Sequence, residues 1–192
     1  MAGGPFTEIL RRAYQTGRTP DRVDSREWFR AQAQKVRSVN VQRLVLDPRA
    51  TQTLVPGKMY HYFYDPKHKD TLPYYDRFPL IFPFRLLEGG FMGINLHYLP
   101  YPARARLMDA LYSLEDRRYK EDKRLRLSYE ILNSAARFSY FKPCVKRYLN
   151  GHVRSQFLPI PSEQWEIALF LPTERFMKES KQDVWKDSMD KL

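Results

Sequence analysis

Eight basic residues in the middle of the chain have the types and density needed to bind phosphate groups. They are Arg104, Arg106, Arg117, Arg118, Lys120, Lys123, Arg124 and Arg126. Such a cluster attracts a nucleic acid or an acidic protein, and its affinity for phosphates falls steeply as salt rises. Four acidic residues interleave with it and favour a different interpretation, a solvated surface of ion pairs: Glu115, Asp116, Glu121 and Asp122. The sequence leaves these interpretations open.

Residues suited to metal or acid–base chemistry occur mainly in the first hundred positions, but their spacing does not predict an active site. The histidines of the predicted sheet are His61, His68 and His97, which we interpret as polar positions of strands and turns. The acids that could hold a nuclease metal are Asp65, Asp70 and Asp76, and they lack Glu-x-Glu-like spacing. Glu163 and Glu166 suit a helix start through the helix dipole alone. We therefore predict no catalytic residue, no metal and no cofactor.

The formal charge of the 192-residue chain is +11, which indicates an anionic partner. The excess is uneven: residues 1–50 carry +5 and residues 101–150 carry +6, whereas residues 51–100 carry +1 and residues 151–192 carry −1. Any contact with DNA is expected to be directed at the backbone and independent of sequence, because no base-reading signature is present.

The single cysteine, Cys144, excludes an internal disulfide and every zinc site built from several cysteines. Its sequence context, FKPCVKRYL, predicts a small buried hydrophobic residue. No apolar run of 18 residues occurs, so no membrane span and no membrane partner are predicted. Without a secretory signal, these features favour an intracellular origin.

The hydrophobic pattern predicts an α+β fold with two parts. Residues 1–50 form a basic N-terminal helical arm, and residues 51–188 form a single α+β domain. Within that domain, residues 56–100 predict a small antiparallel sheet or SH3-like barrel, and residues 102–188 a C-terminal helical bundle. One helix of the bundle is predicted through CVKRYLNGHV, ending at Gly151.

The aromatic stretch PGKMYHYFYDPKHKDTLPYYDRFPLIFPF, residues 56–84, raises the question of a stacking platform for nucleic acid. Seven Tyr and Phe residues precede Pro79. Exposed stacking rings normally accompany a positive groove, and this part of the chain is nearly neutral. We therefore predict that these rings form the core of the sheet.

Several long segments resemble a family of contractile-tailed bacteriophages (myoviruses), the DNA end protector proteins. The resemblance is carried by the aromatic stretch, by GFMGINLHYLP, by FSYFKPCVKRYLNGHVRSQFLPI, and by WEIALFLPTERF followed by SKQDVWKDS. It covers roughly residues 24–188.

The resemblance implies a non-enzymatic virion structural protein, made in the host cytoplasm, that acts in head completion. Such a protein binds the ends of packaged DNA, independently of sequence, and shields them from exonucleases. Its implied partners are duplex DNA ends and other virion proteins of the portal or neck. The alternative is a tail or baseplate component that acts purely through protein–protein contacts.

Overall fold

The computed structural model of the chain describes residues 4–20, 22–115, 132 and 139–192. The α-helices of these residues are α1 Pro5–Gln15, α2 Val23–Gln34, α3 Val41–Leu44, α4 Tyr101–Glu115, α5 Trp165–Phe170 and α6 Lys181–Asp190. The strands are β1 Met59–His61, β2 Tyr75–Asp76, β3 Leu80–Leu87, β4 Gly90–Asn95, β5 Val145–Leu149, β6 Leu158–Ile160 and β7 Phe176–Met177.

The main sheet has five antiparallel strands in the order β5-β4-β3-β1-β6. β2 and β7 form a separate antiparallel pair. The predicted α+β class is confirmed. Within the described residues the five-stranded sheet is open, with β5 and β6 at its edges, so the expected SH3-like barrel stays unconfirmed.

The two edge strands, β5 and β6, lie within residues 102–188, which were predicted as a C-terminal helical bundle. Residues 145–149 pair along their length with β4, from Val145 opposite Ile94 to Leu149 opposite Gly90. The prediction of a helix through this segment is therefore wrong. Val145 and Tyr148 have side chains that favour strands, and pairing with an existing sheet decides such short ambiguous runs. Among the described residues after residue 102, strands and turns occur beside the helices, so this part of the chain is not built from helices alone.

One face of the sheet packs against helices that include the N-terminal ones. Phe6 and Ile9 of α1 and Phe29 of α2 are buried in the same core as Phe82 and Ile94 of the sheet. Arg30 reinforces this packing with salt bridges to Glu166 at 2.5 Å and Asp109 at 2.7 Å. Apolar contacts thus hold α1 and α2 on the sheet, and ion pairs join α2 to α4 and α5.

The aromatic stretch supplies a second core on the opposite face of the sheet. Tyr60, Tyr62 and Tyr64 alternate along an extended segment, so all three point to one side. They are 2%, 0% and 7% exposed and pack with Phe91, Tyr148 and Phe157. The ring centroids of Tyr62 and Phe157 are 5.0 Å apart. The prediction that the rings are core is confirmed for these three tyrosines and for Phe78. Phe63, Tyr74 and Tyr75 are only partly buried.

Candidate nucleic-acid interface

Arg104 lies in the interior of the protein, in the first turn of α4, and is 0% exposed. Its Nε donates to the carbonyl oxygen of Leu99 at 2.7 Å, and its Nη1 donates to that of Leu169 at 2.8 Å. Its Nη2 lies 2.6 Å from Glu174 Oε1 in a buried salt bridge. An enclosed guanidinium cannot reach a phosphate. We therefore remove Arg104 from the predicted binding surface.

The structural role of Arg104 is to join α4 to α6 and to the segment before β7. Burial raises the pKa of Glu174, but the charges of Arg104 and His97 and the hydrogen bonds to the carboxylate together outweigh burial, so the net pKa lies below its usual value. The guanidinium carbon lies 4.7 Å from the ring centroid of Tyr101 and 5.5 Å from that of Trp185. The arginine is thus held by charge, carbonyl oxygens and aromatic rings together.

Only one other residue of the predicted basic cluster falls among the described residues. Arg106 lies on the exposed side of α4. The remaining six lie outside the described residues: Arg117, Arg118, Lys120, Lys123, Arg124 and Arg126. Three of the interleaved acids also lie there: Asp116, Glu121 and Asp122. Phosphate binding by this segment stays a prediction.

Asp76, His97 and Thr173 form a chain of hydrogen bonds with the residue types of an acid–base–hydroxyl triad. His97 Nδ1 lies 2.7 Å from Asp76 Oδ2, and His97 Nε2 lies 3.0 Å from Thr173 Oγ1. In an enzyme such a chain activates the hydroxyl as a nucleophile. Here the three residues are 3%, 0% and 0% exposed, so a substrate cannot reach the hydroxyl in this conformation. These hydrogen bonds join β2 to the turn after β4 and to the segment before β7.

The carboxylate of Asp76 is occupied by donors of the protein. Besides His97, it accepts hydrogen bonds from Asn95 Nδ2 at 3.1 Å and from the Phe78 amide at 3.0 Å. Burial raises its pKa, but the charge of His97 and these hydrogen bonds lower it more, so the net pKa lies below its usual value. These hydrogen bonds use both carboxylate oxygens of Asp76.

Among the described residues, His61 and His97 lie close together but do not belong to a group of metal ligands. The ring centroids of His61 and His97 are 5.7 Å apart. His61 Nδ1, however, lies 3.0 Å from the carbonyl oxygen of Pro79, and the ring stacks on Phe78. Burial lowers the pKa of His61 to about 3, so its imidazole is neutral near pH 7. Within the described part of the chain, no three His, Cys, Asp or Glu side chains come together as metal ligands.

Cys144 is fully buried, as its sequence context predicted. Burial raises the pKa of the thiol to about 12. A protonated and enclosed thiol is a poor nucleophile, so Cys144 packs as a small hydrophobic residue.

Three cations lie close enough to Asp65 to lower the pKa of its carboxyl, and we call Lys69, Arg77 and Arg154 the Asp65 cluster. Lys69 Nζ lies 3.0 Å from Asp65 Oδ1. That hydrogen bond lowers the pKa of Asp65 most, and the charges of Arg154 and Arg77 lower it further. Backbone hydrogen bonds fix the segments, because residues 63–65 bond to Arg77 on one side and to residues 152–154 on the other.

Two further arginines flank Met92 on one face of the sheet. The strand register places Arg85 opposite Met92, and Met92 opposite Arg147. Residues directly opposite each other share a face, and two strand spacings separate the arginine Cα atoms by about 10 Å. Both arginines are exposed. The alternation in VKRYL is the signal that could have revealed this pair, and the helix prediction for that segment concealed it.

A groove of about 830 Å³ lies beside the Asp65 cluster. It is formed by residues 52–54, by the β3–β4 hairpin and by residues 150–157. The buried rings of Phe91 and Phe157 border it, together with the aliphatic side chains of Leu54, Leu86 and Val153. Sequence reasoning missed the groove because its three segments are far apart in the chain.

Among the described residues, none of the helices is both long and apolar enough to cross a membrane.

Comparison with known proteins gives one informative result. No curated protein and no solved structure matches the chain. A family model described as phage T4 terminal DNA protecting protein matches residues 5–188. The match includes α1 and the start of α2, which lie before the part of the sequence where the resemblance was noted. Because it spans nearly the whole chain, this protein belongs to the family of phage T4 terminal DNA protecting proteins.

Proposed function

We propose that this protein is a non-enzymatic structural component of a phage virion that binds the ends of the packaged genome and acts in head completion. The match to the DNA protecting family over residues 5–188 carries the proposal. The net charge of +11 supports it, because a basic protein is drawn to the phosphates of duplex DNA. In this account the protein is made in the host cytoplasm and remains in the virion at the head–tail connection, beside the portal or neck.

The proposed DNA contacts are basic residues from several segments of the chain. Arg106 and residues 117–126 supply the segment predicted from the sequence, and Arg147 and Arg154 are additions suggested by the structure. The basic residues of the N-terminal helices complete the surface. Contacts of this kind hold the phosphate backbone and position the protein without reading bases.

Salt-dependent binding of linear duplex DNA tests the proposal. The affinity should fall steeply with salt, with a slope of about 0.9 in log K per log salt for each phosphate contact. The double variant Arg117→Glu and Arg118→Glu should weaken binding and reduce that slope. The matched control, Lys58→Glu and Lys186→Glu, changes the net charge equally at two exposed lysines outside the proposed surface. It should retain most of the affinity.

Two results would contradict this function. Binding that ignores both salt and charge reversal would exclude a backbone-directed role. Absence of DNA binding, with a copy number in the virion that follows tail symmetry, would instead support a tail or baseplate component acting through protein contacts.

A further inference from the structure

Phosphate contacts alone do not distinguish a DNA end from the interior of the duplex. Every stretch of duplex presents the same density of backbone charge, so basic residues hold an end and an interior site equally well. An end differs because its terminal nucleotides can be unpaired. We propose that the groove beside the Asp65 cluster holds the unpaired terminal nucleotides of one strand at the genome end, an inference that rests on the proposed DNA-end function.

The charge of the groove suits a nucleic-acid strand. Among the described residues that line it, Arg154 carries the only charge, and no carboxylate is present. Arg154 Nη1 donates to the carbonyl oxygen of Gly151. A guanidinium has five N–H donors, so that bond does not exhaust it, and a phosphate oxygen can accept from the others. Arg77, Lys69 and Asp65 belong to the same cluster as Arg154, and its three cations exceed its one carboxylate by two charges.

The uncharged lining suits the bases. Amide side chains occur at three positions, Gln52, Asn150 and Gln156. An amide both donates and accepts hydrogen bonds, so it can meet the exposed edge of any base. Leu54, Leu86 and Val153 offer apolar surface to the base faces, and Leu86 is 55% exposed. Binding of this kind depends little on sequence, as end protection requires.

The size of the groove excludes a duplex but admits a strand. Its volume of about 830 Å³ is that of a site for a small ligand or a few residues of an extended chain. Terminal base pairs must therefore open before a strand enters. A preformed overhang removes that cost, and we expect a gain in affinity of about tenfold for each stacking step that no longer has to be opened.

The test compares three labelled duplexes of equal length: one with a short overhang, one with blunt ends, and one whose ends are closed by hairpin loops. The wild-type protein should bind the overhang duplex most tightly and the closed duplex most weakly. Leu86→Glu places a carboxylate in the groove, and Gln156→Glu does so with almost no change in shape. Each should reduce the preference for the overhang about tenfold, the loss of one good contact.

The matched controls make the same chemical changes elsewhere. Leu46→Glu alters a leucine that is 78% exposed, and Gln182→Glu alters an exposed glutamine of α6, and neither residue lines the groove. Both controls should keep the wild-type preference for the overhang. All four variants should bind the closed duplex equally, because they change the net charge equally. A thermal melt of each variant shows that it is folded.

The outcomes separate this inference from the proposed function. If the wild-type protein prefers open ends but the groove variants behave like their controls, the groove does not hold the strand and the inference is wrong. If the groove variants lose attachment to a virion protein while keeping the overhang preference, the groove binds a peptide, and the inference is equally wrong. If the wild-type protein binds no linear duplex at all, the DNA-end function itself fails.

Discussion

Replacing Arg104 by methionine is expected to destabilise the protein severely, although a surface arginine two residues away can be replaced at little cost. Arg104→Met leaves the carboxylate of Glu174 buried without its partner, and the carbonyl oxygens of Leu99 and Leu169 lose their donors. Breaking a buried ion pair in this way costs about 3–5 kcal/mol. For a chain of this length, each kcal/mol lost from the free energy of unfolding lowers the Tm by about 2–4 °C. The Tm of Arg104→Met is therefore expected to be lower by roughly 6–20 °C.

The measurement is urea unfolding of the wild type and three variants, followed by circular dichroism. Arg106→Met is the matched control, because Arg106 is exposed on the same helix, and it should change the free energy of unfolding by less than about 0.5 kcal/mol. The double variant Arg104→Met and Glu174→Gln should be more stable than Arg104→Met alone, since no unpaired buried charge remains. Equal stabilities for Arg104→Met and Arg106→Met would refute the structural role given to Arg104.

Three further predictions concern the core. Burial lowers the pKa of His61 from its ordinary 6.5 to about 3. Between these two pH values the imidazole binds a proton in the unfolded chain but not in the folded protein. The free energy of unfolding should therefore fall as pH decreases through this window, by up to about 1.4 kcal/mol per pH unit, and His61→Phe should flatten that dependence in acid titrations. An unchanged slope would contradict the assignment. Gly90→Ala should cost about 1–3 kcal/mol in thermal unfolding, because its Cβ would lie 2.2 Å from the Tyr148 carbonyl oxygen, whereas Gly151→Ala, which meets open space, should be nearly neutral. Similar melting of the two glycine variants would contradict this. Cys144 should react with a thiol reagent only after denaturation, and rapid labelling of the native protein would show that it is accessible.

The parts of the fold that sequence reasoning predicted correctly are those with a strong local signal. Tyr60, Tyr62 and Tyr64 alternate with period two in a nearly neutral segment, which is sufficient to identify a buried strand face. α1 has a clear apolar face, formed by Phe6, Ile9 and Ala13. Val145–Leu149, by contrast, is too short to be classified by periodicity, and only its pairing with β4 determines its conformation. The assembly of the five-stranded sheet from distant segments therefore could not be deduced locally.

For the candidate site, too, the local sequence predicted some features, whereas others depend on contacts between distant segments. The sequence identifies a cluster of basic residues, but residue type alone does not predict which of these side chains are exposed. Arg104 and Arg106 have the same type and lie two positions apart, yet one is buried against Glu174 and the other is exposed. The Asp65 cluster and the groove join residues from segments more than sixty positions apart. Such sites arise only from tertiary structure.

Protection of linear duplex DNA from an exonuclease tests the central claim most directly. Linear duplex is incubated with the protein at low and at high salt, an exonuclease that requires an open end is added, and the surviving length is followed over time. The account predicts that the wild-type protein protects the ends at low salt, loses that protection at high salt, and protects less well when Arg117 and Arg118 are reversed in charge. Digestion at the same rate with and without the protein, under conditions where it is folded, would contradict the account.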